Sequence, residues 1–307
     1  MDELISNIRN KVGELLRAEV NHIQKLENVN NNIVFKLIAD KNPYIFKIYK
    51  QQTWPEDGKL IFVNNRLTEN NISCAKIITF DRSDTYFKTG YLIEECLPGL
   101  NADHIIFDLT SGKEFYKKLA KLVSKVHRIK IENYGYIGNG KAGYHSFLDF
   151  MNDKVDEIAN ALINKNLLDK NSLLELKKSV LDKLSLCEDL PPVLNHGDLS
   201  TKNIMVDEYG ELTLIDWDDA MSLNWIADIS RMTYWMKFQY SENEYELYRN
   251  TFLESYSTAE YAKYDFNDFE NTYHVWIGLD HLNYYANTPN YDSTMRYFIE
   301  TIKKLND

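Results

Sequence analysis

Between residues 2 and 19 the apolar side chains fall at Leu4, Ile5, Ile8, Val12, Leu15 and Leu16, a recurrence that predicts a helix with one buried face. The period then changes. Residues 22–26, 33–39 and 44–49 are short runs rich in Ile, Val, Phe and Tyr, and turn residues at 28–32 and at Asp40-Lys41-Asn42-Pro43 separate them. Such runs predict a three-stranded antiparallel meander. Residues 60–67 suit a helix, and strands follow near 75–80 and 88–95. After Leu97-Pro98-Gly99 the pattern becomes helical, starting with 115–127, and it stays so apart from a short strand pair, 204–206 and 212–215, around Glu208-Tyr209-Gly210. The expected fold is α+β: a β-rich lobe over residues 1–97, a hinge near 95–99, and a larger helical lobe over 98–307. A cleft between such lobes is a usual place for a small-molecule site.

Composition narrows the function more than the fold. Apolar residues make up 44% and charged residues 26%, ordinary for a globular chain with a sizeable core. The chain shows no internal repeat and no low-complexity run. The start, Met1-Asp2-Glu3-Leu4-Ile5, has neither the basic nor the apolar region of a signal peptide. No segment reaches the roughly 20 apolar residues of a membrane span. Three scattered cysteines, Cys74, Cys96 and Cys187, suggest neither a disulfide framework nor a zinc site, and a cytoplasmic location is expected. The net charge of −11 argues against nucleic acid as a partner. Its distribution is uneven: residues 1–97 hold 13 basic and 13 acidic side chains, whereas 98–307 hold 22 and 33. The excess is either a solubilising surface or an acidic cleft that attracts a cation.

The segment with chemical content is Leu194-Asn195-His196-Gly197-Asp198-Leu199-Ser200-Thr201-Lys202-Asn203-Ile204-Met205-Val206, followed by Leu214-Ile215-Asp216-Trp217. Asp198 and Asn203 lie five apart on a loop entering a strand, and the returning strand brings Asp216 beside Asn203. Singly, each is an ordinary turn residue. Together they supply what phosphoryl transfer needs: a carboxylate to accept the proton of an attacking hydroxyl, and two oxygen ligands to hold Mg²⁺ against nucleotide phosphates. A further candidate is Lys47, flanked by Phe46 and Ile48 in a strand, where a buried ammonium is costly without an anion. The plainer reading is an outward-facing lysine on an edge strand.

His-Gly-Asp-Leu-Ser-Thr-Lys-Asn at 196–203 followed by Ile215-Asp216-Trp217 resembles the catalytic loop and metal-binding aspartate of the aminoglycoside phosphotransferase superfamily. That superfamily also contains choline, homoserine, methylthioribose and fructosamine kinases and has the bilobal protein-kinase-like fold. The resemblance implies that Asp198 is the catalytic base, that Asn203 and Asp216 are the metal ligands, and that His196 braces the loop. It puts Lys47 on the α- and β-phosphates of ATP or GTP, Val34 and Ile45 against the base, and the Glu95 carbonyl and Leu97 N–H on its edge. His127 is expected to be a packing residue, and Asp228, in Trp225-Ile226-Ala227-Asp228-Ile229, to brace the catalytic loop. Two features depart from the family. Asn28-Val29-Asn30-Asn31-Asn32 stands in place of a glycine-rich phosphate loop, although asparagine tolerates left-handed backbone. The helix glutamate that usually pairs with the lysine is missing, since no acidic residue lies between Lys59 and Thr68. Glu56 and Asp57 are the remaining candidates.

The implied enzyme moves the γ-phosphate of ATP or GTP, with Mg²⁺, to a hydroxyl of a small and aminated molecule such as an aminoglycoside-like antibiotic. Residues 231–307 hold 12 of the 21 tyrosines together with Trp235, Trp276 and many carboxylates, and aromatic faces and carboxylates both attract amines. Asp218, Asp219 and Asp280 are the candidate amine contacts. The alternatives are a kinase of choline or of another metabolite (homoserine, methylthioribose or a sugar) and, in another class, a non-catalytic pseudokinase. The absence of Asp-Phe-Gly and Ala-Pro-Glu motifs argues against a protein substrate.

Overall fold

Helix α1 (Asp2–Leu16) buries Ile8 and Val12 completely, with Leu4 and Leu16 packed beside them, in the register its spacing predicts. In this computed structural model, which describes residues 2–27, 32–165, 170–257 and 261–285, the apolar face of α1 lies on an antiparallel sheet. Its strands are β1 (Val20–Lys25), β2 (Ile33–Ala39), β3 (Asn42–Ile48), β4 (Ile77–Asp81) and β5 (Tyr91–Glu95), in the order β1-β2-β3-β5-β4. The turn expected at 40–43 is shorter. Asp40 and Lys41 alone make it, with φ of 45° and 73°, so Asn42 and Pro43 already pair with Ala39 and Ile38. A two-residue connection with both φ positive matches the strand twist and closes a hairpin tightly. Phe35, Leu37, Phe46, Ile48, Tyr91 and Ile93 share the α1 side. By the alternation of strands, Val34, Ile45, Lys47, Leu92 and Glu94 take the opposite face. Helix α2 (Lys59–Glu69) sends Leu60 onto that second face, where it joins Tyr49 and Leu92.

After β6 (Leu100–Asn101) come α3 (Leu109–Val126), β7 (Gly135–Tyr136), α4 (Phe147–Asn164), α5 (Lys170–Leu184) and β8 (Val193–Asn195). The chain continues through β9 (Ile204–Val206), β10 (Leu212–Leu214), β11 (Met221–Leu223), α6 (Trp225–Gln239), α7 (Glu242–Ser255) and α8 (Asn267–Tyr285). Among the described residues, one compact unit takes those up to Ile105 together with Gly138–Gly140 and Lys202–Asp218; the other takes the rest. The first unit is therefore not a single stretch of chain, because β6 pairs with β9 in a small sheet of order β10-β9-β6. Gly99 permits this. Its φ is 106°, and a Cβ there would lie 2.1 Å from the Val206 carbonyl oxygen, so only glycine fits.

The second unit is mostly helical. Asp108 caps α3 by accepting the N–H groups of Thr110 and Ser111, each at 2.8 Å, while the Ser111 hydroxyl accepts the Asp108 N–H at 2.9 Å. Helix α6 is buried on nearly every side, from Trp225 through Tyr234. A second small sheet, β7-β11-β8, is absent from the sequence reading. Its strands of two or three residues are too short to show a period. Among the described residues no helix is long and apolar enough to cross a membrane.

Candidate active site

Lys47 sits mid-strand in β3, opposite Val34 on β2 and Leu92 on β5, and is only 6% exposed. A buried ammonium requires anions, and two are present. Lys47 Nζ donates to Asp216 Oδ1 at 2.7 Å and to Asp218 Oδ2 at 3.2 Å. Burial alone would depress the lysine, but the two carboxylates more than reverse this and hold its pKa well above the ordinary value. Asp218 is itself buried and also accepts Tyr49 Oη at 3.2 Å and Asn32 Nδ2 at 3.1 Å. Its carboxyl is raised, chiefly by burial with Lys47 opposing. The carboxylate expected to meet a substrate amine is thus engaged by the protein's own lysine, tyrosine and asparagine. The Asp216 side chain, by contrast, is 46% exposed.

The pairing that the sequence left open for Lys47 involves neither Glu56 nor Asp57. Glu56 forms an ion pair with Lys59, and Asp57 pairs with Arg82 at 2.5 Å. Of the asparagine-rich turn, residues 28–31 lie outside the described residues, and Asn32 is the part that reaches Asp218.

The strand pair does what its spacing predicts. β9 and β10 pair antiparallel from Ile204↔Leu214 to Val206↔Leu212, and the Ile215 N–H donates to the Asn203 carbonyl at 3.0 Å. Asp216 follows immediately, with a left-handed φ of 63° that aspartate tolerates better than most residues. Asn203 is buried, at 5% exposure, at the end of a 3-10 turn spanning Thr201–Asn203.

Asp198 belongs to the second unit. From Val193 to Leu199 every residue is buried except Asp198, which is half-buried. The loop is held by internal polar groups. Asp228 on α6 accepts the backbone N–H of His196 at 2.6 Å and of Gly197 at 2.9 Å, and it also bonds His127 Nε2 at 3.2 Å. Burial would raise Asp228, yet these donors keep its carboxyl below the ordinary value. His127 bonds Tyr256 Oη through its other nitrogen at 2.7 Å. The Asn195 amide donates to the Val193 and Leu223 carbonyls at 3.0 and 2.9 Å, and His196 Nδ1 accepts the Asp198 N–H at 3.3 Å. Gly197 has φ of 82°, and a Cβ there would fall 1.9 Å from the Asp219 carbonyl oxygen. The glycine of the motif is a steric necessity.

The other sequence candidates are placed as follows. Val34 is buried and Ile45 half-buried on the Lys47 face of the sheet. Glu95 ends β5, its N–H donating to the Lys76 carbonyl at 3.0 Å, and half-buried Leu97 follows. Asp219 is half-buried beside Gly197. Asp280 on α8 is half-buried; burial is the chief reason that the Tyr136 hydroxyl is raised, and the Asp280 charge adds to it to a lesser degree. The sequence reading missed two residues, Glu94 and Lys59. Glu94 lines a cavity of about 30 Å³ together with Lys47, Leu60, Val63, Cys74 and Asp216. The period-two alternation that placed Lys47 also marks Glu94, as an acid two residues from buried Leu92. Lys59, at 0% exposure, had no such signal.

Burial, opposed by Lys47 and reinforced by Asp216 and Asp218, pushes the Glu94 carboxyl up to about 7 from an ordinary 4.5. The folded chain thus retains a proton that the unfolded chain sheds, and stability is lost as pH rises from about 4.5 through about 7. Glu94→Gln removes that loss. The variant is expected to be about 1–2 kcal/mol more stable than the parent at pH 8 and no more stable at pH 4. Denaturant titrations at both pH values check this, and a difference that does not grow with pH counts against the buried acid.

Comparison with known proteins agrees with this architecture. A crystal structure of the aminoglycoside phosphotransferase APH(4)-Ia, a thermostable mutant in ternary complex with AMP-PNP and hygromycin B, superposes with a TM-score of 0.72. The alignment has 16% identity and covers 97% of each chain. The choline kinase LicA from Streptococcus pneumoniae gives 0.65 at 17% identity over 99% of each chain. At such identities the likeness establishes the fold. No match was found among the curated proteins. The model of the phosphotransferase enzyme family APH matches residues 22–266, a span that holds β2 to β5, Lys47, the Asp198 loop and Asp216, and the chain belongs to that family.

Proposed function

We propose that this phosphotransferase moves the γ-phosphoryl group of ATP or GTP to a hydroxyl of a small molecule carrying at least one protonated amine. The observation that carries the nucleotide half of this reading is buried Lys47 bonded at 2.7 Å to half-exposed Asp216. Mg²⁺ is commonly bound by one or two protein oxygens plus substrate phosphates rather than by a full protein cage. Asp216 and Asn203 are a donor set of that kind. Bound there, the ion would neutralise charge on the phosphates. Lys47 binds the α- and β-phosphates, Val34 and Ile45 pack on the base, and the Glu95 carbonyl and Leu97 N–H read its edge. Asp198 accepts the proton of the acceptor hydroxyl, on a loop that Asp228 holds rigid. Positioning of this sort supplies most of the rate in phosphoryl transfer. The relatives bound to AMP-PNP or ADP support a nucleotide donor.

The acceptor class rests on charge. Residues 1–97 are neutral and the whole excess of −11 lies after them, with Asp219 and Asp280 as candidate amine contacts. A field of that sign concentrates cations and weakens with ionic strength. In a nucleotide-consumption panel of hydroxylated amines, choline and sugars, the best acceptor is therefore expected to be cationic. Its KM should rise with salt while kcat changes less, and a neutral analogue with the same hydroxyls should show neither trend. A neutral sugar or an acid as best acceptor would refute the aminated substrate and leave the kinase reading standing.

A further inference from the structure

Lys59 is the first residue of α2 and is 0% exposed. Both facts are unfavourable by themselves. A cation at a helix N-terminus opposes the helix dipole, and a buried ammonium loses its hydration. Three groups compensate: Glu56, the Trp54 ring with its centroid 4.1 Å from Nζ, and the Asp218 carbonyl at 3.1 Å. The last is informative, because Asp218 closes the turn that begins at Asp216. Lys47 holds that turn by its side chains, through Asp216 and Asp218. Lys59 holds it by its backbone. No acidic residue in α2 precedes Glu69, whose partner is Arg66, so α2 offers Lys47 no carboxylate. We infer that Lys59 is a positioning residue which ties α2 to the Asp216–Asp218 turn through the Asp218 carbonyl and keeps Asp216 aimed at the metal when Lys47 turns to the phosphates.

The inference rests on the nucleotide site proposed above. Lys59 is engaged by Trp54, Glu56 and the Asp218 carbonyl, and so can keep hold of the turn while Lys47 changes partner. The test is Lys59→Met, which keeps the length and apolar bulk of the side chain and removes the charge. Two quantities are read: backbone hydrogen exchange of residues 212–219 without ligand, and calorimetric affinity for a non-hydrolysable ATP analogue with and without Mg²⁺. Exchange is expected to quicken by about tenfold or more. Metal-free affinity should stay within about twofold, while the tightening conferred by Mg²⁺ falls by about tenfold. If Lys59→Met does not fold, Trp54→Leu removes the ring beside the ammonium and should move both quantities the same way by about threefold. Unchanged exchange in the folded variant, unchanged metal-linked tightening, or an equal loss with and without metal overturns the inference. A wild-type protein that binds no nucleotide overturns the proposed function, and this inference falls with it.

Discussion

Asp198→Asn is expected to lower phosphoryl transfer by about 10²–10⁴-fold, the usual worth of a general base, and to leave nucleotide affinity within about twofold. The amide keeps the shape of the carboxylate but cannot take up a proton at neutral pH. The loop should survive the change, because its supports are elsewhere: the Asp228 carboxylate on the His196 and Gly197 N–H groups, and the Asn195 amide on two carbonyls. The bond from residue 198 to His196 Nδ1 comes from the backbone and is kept as well. Single-turnover rates beside calorimetric nucleotide affinity separate chemistry from binding. Unchanged turnover would remove Asp198 from the mechanism, and a matching loss of nucleotide affinity would make it a structural residue.

Asp216→Ala is expected to abolish the Mg²⁺-linked part of nucleotide binding that the proposed function implies. The expected loss exceeds the about 10–100-fold typical of removing a group that merely supports a metal ligand. Asn203 alone supplies a neutral oxygen, a poor ligand for a doubly charged ion. Alanine also suits a φ of 63° badly, so Asp216→Asn is the needed control: asparagine tolerates that backbone and keeps an oxygen but not the charge. Both variants should lose metal-linked tightening in calorimetry with and without Mg²⁺. Wild-type tightening in Asp216→Asn would remove the carboxylate from the metal site.

What the sequence made legible was periodic or local. Alternation in residues 44–49 puts Lys47 on one face with Ile45, and the turn at Glu208-Tyr209-Gly210 sets the β9–β10 pairing that brings the chain at Asp216 back to Asn203. Glycine at 197 was noticed as a motif letter, whereas its reason, the Asp219 carbonyl 1.9 Å from any added Cβ, exists only in three dimensions. The counter-ions of Lys47 are not Glu56 and Asp57, the acids just before α2. They come instead from Asp216 and Asp218, about 170 residues away in sequence. No spacing rule reaches that far. Burial of Lys59 was equally hidden, since a lysine at the start of a helix ordinarily faces water.

The seat of Lys59 also bears on whether this protein can be switched. A helix that reaches its site through an exposed glutamate can swing outward by breaking one hydrated ion pair. Here Glu56 and Trp54 lie on the segment that leads into α2 and would travel with Lys59, so an outward swing breaks the bond to the Asp218 carbonyl and strips a buried carbonyl of its charged donor. A hydrogen bond to a charged group is worth about 1.5–3 kcal/mol, which makes the swung-out form rarer by roughly 10- to 150-fold. Control by displacing α2 is therefore disfavoured from the start.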